Sequence, residues 1–76
     1  MKIEKKLIAL AAEHFSHDEN TLSPDEDFFE ALGINSLDAM ELLTAVEDAF
    51  DVEIPDYELQ GVTTFRALAE IIESRL

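Results

Sequence analysis

Hydrophobic residues recur at helical spacing in three stretches of the chain. The spacing predicts main helices over residues 2–15, 36–50 and 64–75, with Thr63 or Thr64 capping the last one. The residues expected on the buried stripes are Ile3, Leu7, Leu10, Ala11 and Phe15 in the first helix, and Phe65, Leu68, Ala69, Ile72 and Leu76 in the last. No segment shows a convincing alternation of period two. The pattern therefore predicts an all-α fold, a small four-helix bundle of three main helices and one short helix, with a long first loop.

The connections between these helices carry signals of their own. The first, residues 16–35, is unusually long for a small domain and must be partly ordered. Ser23-Pro24-Asp25-Glu26 has the form of a capping box with proline at the first helical position, so we expect a short helical turn there. That turn would place Phe28, Phe29 and Leu32 for packing, and Gly33 would end it in a left-handed conformation. In the second connection, Pro55 prevents a helix from continuing, and residues 56–60 could form a short helix closed by Gly61.

The second main helix has two distinct faces when its residues are placed 100° apart. Its apolar face, expected to pack on the core, holds Ala39, Leu42, Leu43, Val46 and Phe50. The opposite face holds Ser36, Leu37, Met40, Glu41, Thr44, Glu47 and Asp48. Leu37 and Met40 would then be exposed among carboxylates, which favours a small docking patch with an acidic rim. A solvated face with two incidental apolar residues is the alternative.

The net charge of the chain limits the classes of molecule that it can bind. Eighteen acidic residues against five basic ones give a net charge of −13, and no Lys or Arg lies between Lys6 and Arg66. Such a field repels nucleic acid and anionic membranes, which are excluded as partners, and it steers the domain toward basic surfaces. High charge that serves only solubility is the plainer interpretation.

Length and residue usage limit the remaining possibilities. The chain is expected to form one domain over residues 1–76, and its lack of cysteine excludes disulfides and thiolate metal sites. We see no signal peptide and no stretch of membrane-spanning length, and we expect a cytoplasmic monomer. His14 and His17, beside Asp18 and Glu19, lack a third fixed ligand, so no metal site is predicted. No Ser-His-Asp or Cys-His arrangement supports catalytic residues, and we expect no enzyme activity.

Ser36 stands where the second main helix begins. Serine is among the best N-cap residues, and by local chemistry alone a cap worth about 1 kcal/mol is the simpler interpretation. A functional interpretation is also open, because a phosphodiester on this hydroxyl would lie at the positive end of the helix dipole. The long preceding loop would leave the site accessible to an enzyme and to a flexible attached arm.

The sequence Gly33-Ile34-Asn35-Ser36-Leu37-Asp38, followed by Glu41-Leu42, resembles the attachment motif of acyl carrier proteins. The likeness continues through Asp27-Phe28, Glu47, Phe50, Asp51, Glu53, Ile54, Pro55, Asp56, Thr63 and Thr64, and so covers essentially the whole chain. The resemblance implies that Ser36 carries phosphopantetheine, derived from coenzyme A and added by a phosphopantetheinyl transferase. The thiol of that arm would hold an acyl group as a thioester, without catalytic residues in the carrier itself.

The resemblance also implies how such a carrier meets its partners. These would be acyl-transferring and acyl-modifying enzymes of fatty acid, polyketide or related lipid biosynthesis, with basic docking surfaces. The implied partner-binding residues are Asn35, Leu37, Asp38, Met40, Glu41, Glu47 and Asp48. Candidates for a pocket that shelters the acyl chain are Phe28, Leu42, Val46, Ile54, Leu59, Val62 and Leu68, for which ordinary core is an equal alternative.

Two residues depart from the family pattern. Asn35 replaces the usual Asp before the serine, which keeps a carbonyl acceptor but loses the charge that is associated with magnesium during cofactor transfer. Thr44 replaces a larger apolar residue and predicts a smaller docking patch. Two other functions stay open: an aminoacyl or peptidyl carrier, whose usual Gly-His or Gly-Asp pair is not matched by Ile34-Asn35, and an acidic helical interaction module that is never modified. The sequence does not identify the acyl chain.

Overall fold

The computed structural model describes residues 2–76, and within them it is a helical bundle without strands. The elements in chain order are α1 (Lys2–His14), the 3-10 helix η1 (Glu19–Thr21), α2 (Phe28–Leu32), α3 (Ser36–Phe50), the 3-10 helix η2 (Asp56–Leu59) and α4 (Phe65–Glu73). An isolated antiparallel bridge joins Asp27 to Thr64. The predicted all-α bundle is confirmed, and α3 begins and ends at the predicted residues.

The core lies where α1 packs against α3 and α4. Its fully buried large side chains are Leu7, Leu42, Val46, Phe65 and Ile72. Most of the predicted stripes are therefore buried, although Ile3, Leu10, Phe15, Ala39 and Phe50 are only half-buried. Leu76 was expected in the stripe of the last helix, and that prediction is wrong: α4 ends at Glu73, so Leu76 leaves the helical face and is 69% exposed.

The predicted capping box at Ser23 does not start α2. The chain turns at residues 24–26, and Asp27 caps the helix instead, with its Oδ1 accepting from the Phe29 and Glu30 amides at 2.9 and 3.3 Å. The reason lies far along the sequence, because the Phe28 amide donates to the Thr63 carbonyl at 2.9 Å and holds the chain extended at Asp27. Gly33 ends α2 in the left-handed region at φ 66°, as predicted.

The long first connection is attached to the start of α4 at two main-chain segments, residues 24–28 and 63–66, which we call the loop junction. Besides the Phe28–Thr63 bond, the Arg66 amide donates to the Pro24 carbonyl at 2.9 Å. The Arg66 guanidinium donates to both Asp25 carboxylate oxygens, at 2.5 and 3.0 Å. These hydrogen bonds, and then the guanidinium charge, hold the pKa of Asp25 below its usual range. The junction thus gives α2 and α4 a common base.

The second connection is shorter and more lightly attached. Glu47 of α3 accepts from the Ile54 amide at 2.9 Å, after which η2 forms as predicted, and Gly61 follows with φ 79°. Thr64 then caps α4, its Oγ1 accepting from the Ala67 amide at 3.2 Å, which decides between the two predicted caps.

Candidate functional site

The start of α3 is capped by Asn35 and not by Ser36, which corrects the expected cap. The Oδ1 of Asn35 accepts from the Asp38 amide at 3.0 Å, and Asp38 Oδ2 accepts from the Asn35 amide at 3.2 Å. These reciprocal bonds form a capping box. Ser36 is the first helical residue, and its exposed side chain takes no part in the box. Its hydroxyl is therefore not needed to begin the helix.

The backbone around Ser36 favours an anion. The first intrahelical bond of α3 runs from the Ala39 amide to the Asn35 carbonyl, and the capping box occupies the Asp38 amide. The amides of Ser36 and Leu37 precede these and have no acceptor of their own within the helix. They lie at the positive end of a 15-residue helix, where a phosphodiester on the serine would be stabilised.

The outward face of α3 is exposed largely as predicted. Leu37 is 72% and Met40 45% exposed, and Glu41 and Asp48 are exposed beside them. Thr44 is exposed too, with its hydroxyl donating to the Met40 carbonyl at 3.2 Å. These side chains form a surface that is apolar near Ser36 and acidic around it, which is the composition of a docking patch.

Two of the predicted partner-binding carboxylates already have structural contacts. Asp38 belongs to the capping box, and the half-buried Glu47 accepts the Ile54 amide. Helix periodicity placed Glu47 on the exposed face and gave no sign of this bond, since the bond depends on how the chain returns after Phe50. Their part in partner binding stays a prediction.

An apolar cavity of about 180 Å³ reaches the surface at Ser36. It is lined by Phe28, Phe29, Ser36, Ala39, Met40, Leu42, Leu43, Leu59, Val62 and Leu68. Five of the seven predicted pocket residues are among them. Val46 and Ile54 are not, and both are buried in the core. Sequence reasoning missed Phe29, Ala39, Met40 and Leu43, although Met40 lies one helical turn beyond Ser36 and the spacing could have indicated it.

The walls of this cavity come from four elements. The α2 wall holds Phe28 and Phe29, whose rings stack with centroids 4.8 Å apart, and Phe28 also contacts the buried ring of Phe65 at 5.2 Å. The N-terminal half of α3 supplies the side with Ser36, and α4 supplies Leu68. Leu59 of η2 and Val62 just after it complete the enclosure. The serine hydroxyl is thus next to a space that accepts apolar atoms.

Two other kinds of site have no counterpart in residues 2–76. No group of three or more His, Asp or Glu side chains in that range is arranged to hold a metal ion. No helix there is both long enough and apolar enough to cross a membrane.

An exposed serine at the start of a helix, beside an apolar cavity, has room for a tethered group. Residues 5–72 match the family described as the phosphopantetheine attachment site (PP-binding). The chain belongs to this family, and the resemblance to carrier proteins is confirmed. Its members carry covalent phosphopantetheine and are carriers, not enzymes. They interact with a phosphopantetheinyl transferase and with the enzymes that modify their cargo.

Proposed function

We propose that this protein is an acyl carrier with phosphopantetheine attached through a phosphodiester to Oγ of Ser36. The observation that supports this residue is its position: exposed, outside the capping box, and lining the mouth of the cavity. The prosthetic group supplies the thiol that a chain without cysteine lacks. The amides at the start of α3 suit its phosphate.

The lining of the cavity favours an acyl cargo over an aminoacyl or peptidyl one. Apart from Ser36, its lining side chains are those of Phe, Ala, Met, Leu and Val. Burying an alkyl chain there gains about 0.8 kcal/mol for each methylene removed from water. An aminoacyl group would bring an ammonium into the same space without a carboxylate among the lining residues, which costs free energy.

The outward face of α3 suits brief docking on basic enzyme surfaces. Leu37 and Met40 supply the apolar centre, and the exposed Glu41 and Asp48 supply acidic groups that can pair with Lys and Arg of a partner. A net charge of −13 accelerates encounter with such surfaces. We place the carrier, as a cytoplasmic monomer, in fatty acid, polyketide or related lipid biosynthesis.

Intact-mass analysis after incubation with coenzyme A and a broad-specificity transferase tests the attachment site. We expect the wild type and the control variant Ser23→Ala to gain one phosphopantetheine each, and Ser36→Ala to gain none. Ser23 is a suitable control because it is also an exposed serine before a turn. A gain in Ser36→Ala would place the site elsewhere. No gain in any form, with several transferases, would favour the unmodified interaction module.

A second experiment separates acyl from aminoacyl cargo. The wild type is loaded with octanoyl or with alanyl phosphopantetheine from the corresponding coenzyme A thioester, and cleavage by hydroxylamine is followed by mass. Each rate is divided by that of the same thioester on free coenzyme A, because the two thioesters differ in intrinsic reactivity. We expect the octanoyl thioester to be protected more than the alanyl thioester, since its chain can enter the cavity. Equal protection would contradict the acyl assignment.

Asn35 is the residue at which modification of this chain should differ from that of its relatives. Aspartate caps a helix as well as asparagine does, so Asn35→Asp should leave α3 intact. We expect the variant to be modified faster by a broad-specificity transferase and to change its magnesium dependence, because the substitution restores the carboxylate. Unchanged rate and magnesium dependence would show that Asn35 has no role in the transfer.

A further inference from the structure

The walls of the cavity are attached to the rest of the protein in different ways. The α2 and α4 walls share the loop junction, where main-chain hydrogen bonds of 2.9 Å join residues 24–28 to residues 63–66. The α3 wall is a long helix with a capping box at the end that carries Ser36. The α2 and α4 walls therefore cannot separate from each other without breaking these main-chain bonds, and the α3 wall is the longest helix in residues 2–76.

The fourth wall, η2, has mainly internal bonds. The Glu58 amide donates to the Pro55 carbonyl and the Val62 amide to the Leu59 carbonyl, both at 3.0 Å. No side chain caps its N-terminus. A 3-10 helix of four residues is also a weak element by itself, because its hydrogen bonds are poorly aligned. Leu59 and Val62 reach the cavity but are only half-buried.

One ion pair joins η2 to the residues that follow α4. The Arg75 guanidinium contacts the Glu58 carboxylate, and their side chains are 32% and 27% exposed. Arg75 is itself anchored to the core, since its amide donates at 3.0 Å to the carbonyl of Ile72, whose side chain is fully buried. Within residues 2–76, no other side-chain hydrogen bond or ion pair joins η2 to another helix.

We propose that the Glu58–Arg75 ion pair controls access to the cavity by holding η2 against the end of α4. The role of the cavity as a cargo site rests on the proposed function, whereas the movement of η2 does not. When the pair opens, η2 can rotate about Pro55 on one side and Gly61 on the other. Leu59 and Val62 then move outward, and the cavity opens for cargo to enter or leave.

Hydrogen–deuterium exchange of the unmodified protein tests this movement directly. The variant Glu58→Gln removes the charge but keeps the shape of the side chain. We expect its backbone amides at positions 58 and 62 to exchange about two- to fivefold faster than those of the wild type, because a partly exposed ion pair contributes about that factor. The Phe28 and Arg66 amides of the loop junction should not change. Arg75→Gln should reproduce the effect from the other side of the pair.

The matched control is Glu53→Gln, which makes the same change in net charge at an exposed residue close in sequence. It should exchange like the wild type. The charge-swapped double variant Glu58→Arg/Arg75→Glu should return the rates toward those of the wild type. Equal acceleration in Glu53→Gln, no acceleration in Glu58→Gln, or a uniform increase at the loop junction would each overturn the proposal.

The consequence for cargo is measured separately, on octanoyl-loaded protein. We expect hydroxylamine to cleave the thioester of Glu58→Gln about two- to fivefold faster than that of the wild type or of Glu53→Gln. Cleavage at the wild-type rate would overturn the part of the proposal that concerns cargo. Exchange and loading are independent measurements, so a failure of η2 to move is distinguishable from a failure of Ser36 to be modified.

Discussion

The loop junction joins the α2 and α4 walls of the cavity, and η2 forms another wall. The two regions differ in the kind of bond that holds them in place. At the loop junction, two segments far apart in sequence exchange main-chain hydrogen bonds, and Arg66 adds a bidentate ion pair to Asp25. At η2, an ion pair and two half-buried apolar side chains do the same task. Main-chain bonds between two segments break only when the segments separate, whereas an ion pair can open while the core stays closed. If the cavity holds cargo, as we propose, the first kind of bond would keep it enclosed and the second would let it leave.

Basic side chains take part in the contacts of both regions. Arg66 joins the first connection to α4, Arg75 joins η2 to the end of α4, and Lys6 of α1 lies with its Nζ 5.0 Å from the ring centroid of Phe50. Three of the five basic side chains thus link separate elements in a chain of net charge −13. Because these basic side chains have contacts within the protein and acidic residues outnumber them, most of the carboxylates have no basic side chain to pair with.

The largest expected difference is between the packing of the α2 wall and that of the η2 wall. Phe28→Ala removes a buried ring that contacts two other rings, and it should lower the free energy of unfolding by about 3–5 kcal/mol. Leu59→Ala, in the η2 wall, should cost about 1 kcal/mol because the side chain is only half-buried. Urea unfolding followed by circular dichroism measures both. Equal losses would mean that the walls are equally well packed.

The next largest effect on the free energy of unfolding is expected at the hydrogen bond from the Ile54 amide to Glu47, just before η2. Glu47→Ala leaves the Ile54 amide without its charged acceptor and should cost about 1–2 kcal/mol in urea unfolding. Glu41→Ala changes the net charge equally on an exposed residue and should stay within about 0.5 kcal/mol of the wild type. If the two variants are equally stable, the Glu47 contact contributes nothing to the stability of the fold.

A smaller effect separates the cap of α3 from its attachment site. Asn35→Ala should lose about 1 kcal/mol of stability, as expected for removal of an N-cap. Ser36→Ala should change the free energy of unfolding by less than about 0.5 kcal/mol, since the serine is outside the capping box. The reverse order of losses would restore Ser36 as the cap.

The smallest expected effect is the pH dependence of the loop junction. The lowered pKa of Asp25 means that the folded state holds its proton less tightly, so the ion pair stabilises the fold above the ordinary value of 3.8 and is lost as the pH falls through the lowered value. The difference in unfolding free energy between wild type and Asp25→Asn should therefore be constant from pH 7 to about 5 and vanish below the lowered pKa. Glu26→Gln, an exposed neighbour, is the control and should show no such convergence.

The elements of the fold could be predicted where the signals are local. The bounds of α3 follow from Gly33 before it and the apolar pattern within it. The spacing also indicates the true cap, because Asp38 lies three residues after Asn35, as in a capping box, whereas Ala39 lies three residues after Ser36. Residue type alone favours Ser36, and this is why the prediction of a Ser36 cap is wrong.

The contacts that distinguish the two walls could not be predicted, because they join residues far apart in the chain. Asp27 caps α2 next to the hydrogen bond from the Phe28 amide to the Thr63 carbonyl, which joins residues 35 positions apart. Glu58 and Arg75 meet only after η2 and α4 have packed. Periodicity assigns each residue to a face of its own element and contains no information about which distant group will approach that face.

The cap of α3 has a consequence for how this carrier responds to heat. Because Asn35 begins the helix, the Ser36 hydroxyl contributes little that the folded state would lose on substitution. A group that interacts equally with the folded and unfolded chain does not shift the equilibrium between them, whereas one that is buried only in the folded chain raises the melting temperature. Cargo enclosed in the cavity would then raise the melting temperature beyond the smaller increase that the phosphodiester gives at the start of α3.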